Sequence, residues 1–216
     1  MMDFLTQNMV DVWGYGLSLL EFLAVVTGFA AVWLASGEKS GNFLVGMQNN
    51  VLYALLFYQS RLYSVMLLQA VYFGFSLYGY YHWRHPKPDE ANGQQELRIR
   101  RLTIKQWIAY LLIILIGGGL WGSFVIYTQA HFPEWIDPPA YPRLDALLTS
   151  ASVVGQWLLS RKYWDNWPLW IVVDLISCAL YAYIGMFFTA ILFASYTLIA
   201  VKAIWQWRQT YRTYER

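Results

Sequence analysis

The chain has 216 residues, of which 58% are hydrophobic and only 13% charged, and its formal net charge is +2. A soluble domain of this length carries about a quarter charged residues, so the composition excludes an ordinary soluble domain. The basic residues sit between apolar runs, which argues against a nucleic-acid partner. Aromatic residues reach 19%, with 12 Trp, and the one cysteine, Cys178, has no partner for an intramolecular disulfide.

A membrane-spanning helix needs about 20 mostly apolar residues. Apolar runs predict seven spans, at 13–35, 43–60, 62–83, 106–128, 144–160, 167–184 and 186–207. The first lacks the basic flank of a secretory signal and outruns the length of its apolar core, so it reads as a span and not a cleaved leader. Ser60-Arg61 and Gly185 alone separate the second from the third and the sixth from the seventh, so both pairs read as tight hairpins. The chain then divides into a first three-helix unit, 13–83, a polar loop expected to be mobile, 84–105, and a linker helix, 106–128. A Pro-rich external loop at 129–143 leads to a second three-helix unit, 144–208, and a tail, 209–216.

Charge fixes the expected orientation. With the 84–105 loop inside, thirteen cations lie on that side: Lys39, Arg84, Lys87, Arg98, Arg100, Arg101, Lys105, Arg161, Lys162, Lys202, Arg208, Arg212 and Arg216. Only Arg61 and Arg143 lie on the other. The positive-inside rule then places the N-terminus out and the C-terminus in.

Shifting the sequence by 124 residues aligns 21–84 with 145–208 without a gap. Trp33 meets Trp157, Ser36 meets Ser160, Asn42 meets Asn166, Tyr72 meets Tyr196 and Trp83 meets Trp207. Three helices leave the chain on the far side of the membrane and one linker helix returns it, so the second unit runs in the same sense as the first. The expected fold is an all-α polytopic membrane protein of two parallel three-helix repeats plus a linker, the 3+1+3 order of sugar carriers of the SWEET type. Such folds hold substrate between their repeats near mid-membrane.

Polar side chains at membrane depth are costly and mark cavities or partners. The sixth span carries Asn166, Trp167, Trp170 and Asp174, the last three on one helical face by their i, i+3, i+7 spacing. Asp174 is the only carboxylate deep in a span, and its repeat equivalent is Asn50, flanked by Asn49 and Gln48. Trp170 aligns with Gly46, which suggests a slot one flat ring thick. Tyr53, Gln69, Tyr72, Gln156, Tyr181 and Tyr196 complete the candidate substrate-binding set. A carboxylate beside tryptophan faces suits an organic cation. The tryptophans near helix ends, including Trp13, Trp33, Trp83, Trp107, Trp121, Trp157, Trp205 and Trp207, read as interfacial belt residues. Gly117-Gly118-Gly119 reads as a place of close helix approach or bending. There is no phosphate-binding Gly-rich loop for ATP, no metal-ligand spacing among His82, His85 and His131, and no nucleophile–base set, so neither enzyme activity, cofactor nor metal is expected.

Two stretches carry a family likeness. Asn49-Asn50-Val51-Leu52-Tyr53-Ala54-Leu55-Leu56-Phe57, followed by Leu62-Tyr63 and Leu67-Leu68-Gln69, resembles the first half of PnuC-type vitamin transporters. Gln156-Trp157-Leu158-Leu159-Ser160-Arg161-Lys162-Tyr163, then Asn166-Trp167 and Trp170-Ile171-Val172-Val173-Asp174, resembles the second half. Residues 41–43 read Gly-Asn-Phe where many relatives begin with a Trp-Asn-Trp-Pro-like string. The resemblance implies a bacterial inner-membrane carrier of nicotinamide riboside, a precursor of NAD. It implies facilitated diffusion, with phosphorylation inside the cell trapping the substrate. Thiamine or riboflavin are the alternatives within the family, and a membrane sensor or scaffold that translocates nothing is the alternative outside it. The partners expected are a flat cationic small molecule and the bilayer, with homo-oligomers also compatible with the sequence.

Overall fold

Ser18 starts the first helix. Its hydroxyl accepts from the Glu21 amide at 3.2 Å while the Glu21 carboxylate accepts from the Ser18 amide at 3.1 Å, a reciprocal cap that satisfies two amides left over at a helix start. The computed structural model describes residues 8–12, 15–59, 63–92, 95–132 and 141–213, with side chains from Ser18 onward except at 63–65 and 188. Trp13, the Ser60-Arg61 connection, residues 133–140 and Arg216 lie outside it.

Two short strands precede that cap, β1 (Asn8–Val12) and β2 (Tyr15–Ser18), paired antiparallel. The fold is otherwise helical, as expected, and the first helix starts at Leu19 where the apolar run suggested a start at 13. The helix cannot extend backward past Ser18, whose extended backbone sets the cap. Seven helices follow: α1 (Leu19–Ser36), α2 (Gly41–Gln59), α3 (Tyr63–Arg84), α4 (Ile104–His131), α5 (Pro142–Ser160), α6 (Asn166–Tyr183) and α7 (Phe187–Thr213). Their number and order follow the apolar runs. α4 and α7 are longer than expected; α4 begins at 104 because Thr103 and Gln106 form a second reciprocal cap.

By length and composition, α1, α4 and the Thr189–Thr213 stretch of α7 are apolar enough to cross a membrane. The other four carry the amides and the carboxylate noted above, which a bilayer tolerates only when neighbouring helices shelter them. α4 turns Leu111, Leu112, Ile116, Leu120 and Phe124 outward, as a lipid-facing helix does. α1 packs on α2 and α2 on α3; α5 packs on α6 and α6 on α7. α3 against α5 and α1 against α7 join these groups, and α4 lies on α5. A Cβ at Gly118 would stand 2.9 Å from the Leu147 Cα, and one at Gly122 would stand 3.2 Å from the Ala146 Cβ. Glycine therefore sets how closely α4 and α5 approach. Gly119 has open space around it and plays no part in that approach.

The α1–α2 and α5–α6 connections make the same hydrogen bonds at positions 124 apart. The amide of Lys39 donates to the Leu34 carbonyl at 3.0 Å, and that of Tyr163 to the Leu158 carbonyl at 2.9 Å. Ser36 and Ser160 each donate their hydroxyl to the carbonyl three residues back, at 2.7 Å. Asn42 and Asn166 each turn their amide onto the carbonyl three residues back, those of Lys39 and Tyr163. Glu38 and Lys162 both sit at φ 57°, a left-handed conformation that costs a residue with a Cβ about 1 kcal/mol or more.

The segment leading from α3 to α4 is packed, against the expectation of a mobile loop. Leu97, Ile99 and Leu102 are buried. The Arg100 amide donates to the Lys162 carbonyl and the Trp164 amide donates back to the Arg100 carbonyl, both at 3.0 Å. Asp165 accepts from the Leu102 amide at 2.8 Å and from Trp107 Nε1 at 3.0 Å. Burial pushes its carboxyl above the usual range, and those two bonds pull it back. Glu90 meets His82 Nε2 at 3.0 Å and Arg100 at 2.6 Å. The bond with His82, aided by the Arg100 charge, holds its carboxyl below the usual range against burial. Polarity suggested mobility here, but three apolar residues placed at spacings of two and three pin the loop down.

At this loop end Ala35, Phe43, Trp83, Leu97, Ile99, Leu159, Trp167, Ala200, Ala203 and Trp207 form one apolar cluster. Trp83 and Trp207 are therefore core residues and not belt residues, at 6% and 0% exposed. Trp33 and Trp205 remain open to the surroundings at 50% and 64%, as belt residues should.

Candidate functional site

Asn49 is fixed by α1. Its Nδ2 donates to the Ala24 carbonyl at 2.6 Å and reaches Thr27 Oγ1 at 3.1 Å. Gly28, one residue on, leaves the space into which Tyr196 of α7 projects: a Cβ there would be 3.0 Å from the tyrosine hydroxyl and 3.3 Å from Asn49 Nδ2. Tyr196 also lies within electrostatic reach of Tyr53 and Asp174, and Tyr53 within reach of Glu21. So α1, α2, α6 and α7 bring Asn49, Tyr53, Asp174 and Tyr196 together. Asp174 is 4% exposed and Asn50 is 8% exposed, which confines both to the protein interior.

An aromatic ladder extends this group. Tyr181 stacks on Phe193 at 5.4 Å, and Phe193 meets Tyr196 edge-on at 6.2 Å. On the other side of the bundle, Gln156 of α5 donates to the Ser76 hydroxyl of α3 at 3.3 Å. Tyr72 of α3 lies beside Ser152 of α5, the position equivalent to Gly28. The two equivalent tyrosines, Tyr72 and Tyr196, thus each reach from one group of three helices into the other.

The tryptophans part company. Trp167 is 2% exposed and edge-on to Trp207 at 5.7 Å, inside the loop-end cluster. Asn166 beside it is wholly buried. Trp170 keeps partial exposure and rests on Gly155, where a Cβ would lie 3.0 Å from its ring. Glycine there seats a flat ring against α5. Gly46 is open except for Ser76 Oγ at 3.6 Å, so no direct contact joins it to Trp170. Gln69 is buried on α3 at 8% exposed. Sequence reasoning passed over Ser76, Gly28, Ser152 and Gly155. Gly28 and Ser152 were findable, because the 124-residue shift aligns them as partners of a tyrosine pair already chosen.

None of these side chains is a Lys or Arg, so the set offers one carboxylate, several amides and hydroxyls, and flat rings. That chemistry suits an uncharged or cationic solute with hydroxyl groups and an aromatic ring. An open concavity of about 350 Å³ lies apart from this set, at the loop end between Asp89, Arg98, Arg101, Gln106 and Tyr211.

Comparison with known proteins gives a consistent picture. Residues 18–209 match a family model described as nicotinamide mononucleotide transporter. The nicotinamide riboside transporter PnuC of Escherichia coli (strain K12) is 30% identical over 212 residues, which covers 90% of this chain and 87% of that protein. The protein of the same name from Neisseria mucosa is 31% identical over 169 residues, 76% of this chain and 60% of its own. The solved crystal structure of the vitamin B3 transporter PnuC superposes with a TM-score of 0.67 at 25% identity, covering 90% of this chain and 83% of that one.

Proposed function

The chain belongs to the nicotinamide mononucleotide transporter family, of the PnuC type, and from that premise we propose that it carries nicotinamide riboside across a bacterial inner membrane. The observation that carries this reading is the likeness to a nicotinamide riboside transporter over nine-tenths of the chain. The candidate site supports the riboside over the mononucleotide. The riboside is a flat pyridinium cation with a hydroxylated sugar. Asp174 balances the ring charge, Trp170 supplies a face for the ring, and Asn49, Asn50, Gln69 and Gln156 hold ribose or carboxamide, while Asn166 is taken up by the cap of the α5–α6 connection. Tyr53, Tyr72, Tyr181 and Tyr196 line the path. A phosphate would meet no fixed cation in this set, and burying an unpaired anion costs several kcal/mol.

Transport runs as facilitated diffusion, and phosphorylation of the riboside inside the cell traps it. The fold reading that goes with this is a 3+1+3 order, with 13–83 and 144–208 as parallel repeats about the linker helix. The matched bonds of the α1–α2 and α5–α6 connections support it, as does the crossing of Tyr72 and Tyr196. The N-terminus faces out and the loop end faces the cytoplasm, which puts the excess of Lys and Arg inside.

Counterflow into liposomes holding the purified protein tests the substrate. Labelled riboside should exchange, while the mononucleotide should not. Exchange of labelled thiamine in place of the riboside would move the protein to another vitamin within the family. Exchange of none of the three would overturn the carrier reading in favour of a sensor or scaffold.

A further inference from the structure

Lys162 is 4% exposed, deep enough that its ammonium must be fully partnered. Burying an unpaired ammonium costs several kcal/mol. Its Nζ lies 3.2 Å from Glu38 Oε2, donates to the Leu97 carbonyl at 2.9 Å, and sits 5.0 Å from the centre of the Trp83 ring. One cation therefore joins four segments: the α1–α2 connection, the α5–α6 connection, the 85–103 loop and the end of α3. Glu38 and Lys162 occupy equivalent positions in the two connections and share the same φ of 57°. Both are left-handed residues of the shared turn, and their side chains meet across the two connections.

Directly alongside, Trp83 and Trp207 are also equivalent positions and also touch, with ring centres 5.7 Å apart. Trp207 Nε1 donates to the carbonyls of Ala35 and Ser36, at 3.3 and 3.1 Å. Trp83 Nε1 has no such partner.

We propose that Lys162 is the positioning residue of a latch that holds the two three-helix units together at the loop end, and that substrate leaves on that side only when the Lys162–Glu38 and Lys162–Leu97 contacts part. This rests on the two-unit carrier reading above. The ion pair suits such a role. Its attraction and the dehydration of its charges nearly cancel, so the closed state is favoured modestly, and water re-solvates both groups once they separate. The specificity of closure comes from the four-way geometry and not from a large net energy.

The test reads access and needs no substrate. Ser160, 0% exposed under the latch, becomes the reporter as Ser160→Cys in a Cys178→Ala background. Labelling with a membrane-impermeant maleimide is timed in inside-out and right-side-out vesicles. Lys162→Met removes the charge and keeps the apolar stem; it should speed labelling from the cytoplasmic side about tenfold or more. Glu38→Gln keeps the bond to Leu97, so it should give a smaller acceleration, and it serves if Lys162→Met fails to fold. In counterflow, Lys162→Met should change maximal rate and leave KM within about twofold, because the side chain touches no substrate. Acceleration confined to right-side-out vesicles supports the latch and overturns the membrane orientation. Equal labelling rates in all variants, from both sides, overturn the latch.

Discussion

The α1–α2 and α5–α6 connections share a backbone and differ in what they hold. Both turn through the same hydrogen bonds, end in an asparagine cap and place a left-handed residue at the same step. Yet the second connection carries Lys162 and Asp165 where the first carries Glu38 and Gly41. Those two residues take Leu97 and Leu102 of the 85–103 loop. The loop therefore docks on one connection only. The equivalent tryptophans differ likewise: Trp207 Nε1 has two acceptors, while Trp83 lends its ring face to Lys162. The same turn recurs in both connections, and the unequal side chains on it decide which one the loop docks on.

The largest expected effect tests the inequality at the centre. Asp174→Asn makes position 174 match its equivalent, Asn50. If the charge holds a pyridinium, KM for the cationic substrate should rise roughly 30-fold or more, measured by counterflow. An unchanged KM would remove Asp174 from the site. Next is the docking of the loop. Asp165→Gly copies the first connection into the second and strands the Leu102 amide and the Trp107 indole. A loss of about 2–4 kcal/mol is expected, read from thermal unfolding in detergent and from faster proteolysis within 85–103. Gly41→Asp, the reverse copy, has open space and no waiting donor, so it should be close to neutral.

A smaller effect separates the two crossing tyrosines. Ser152→Ala removes the hydroxyl beside Tyr72 and should cost about 1 kcal/mol. Gly28→Ala crowds the Tyr196 hydroxyl at 3.0 Å and should lower uptake, since Tyr196 neighbours Asp174. Equal losses of uptake from both would argue that the two crossings serve the frame alike.

The smallest effect concerns pH. The carboxyl of Glu90 is depressed in the folded protein, chiefly by its bond with His82. A depressed carboxyl contributes stability above the unfolded-state value, and that contribution fades as pH falls through the lower folded value. The 85–103 loop should thus become more protease-sensitive below about pH 4.5, and Glu90→Gln should flatten that dependence.

The amino-acid sequence determined the seven helices, their order and the candidate polar residues, because a bilayer forces long apolar runs into helices and makes each buried amide or carboxylate conspicuous. It also made the 124-residue correspondence readable, and with it the pairing of Tyr72 with Tyr196 and of Asn50 with Asp174. It misread the 84–105 loop, the start of the first helix, and Trp83 and Trp207. Each of those depends on contacts between residues far apart in the chain, which composition does not encode. The 84–105 loop reads as polar and mobile until Lys162 is seen on the Leu97 carbonyl and Asp165 on the Leu102 amide. Trp207 reads as a belt residue until its indole is found on the Ala35 and Ser36 carbonyls, about 170 residues away. Only the tertiary structure set Trp167 inside the loop-end cluster and left Trp170 the more accessible ring, because two residues on one helical face can meet quite different neighbours along its length.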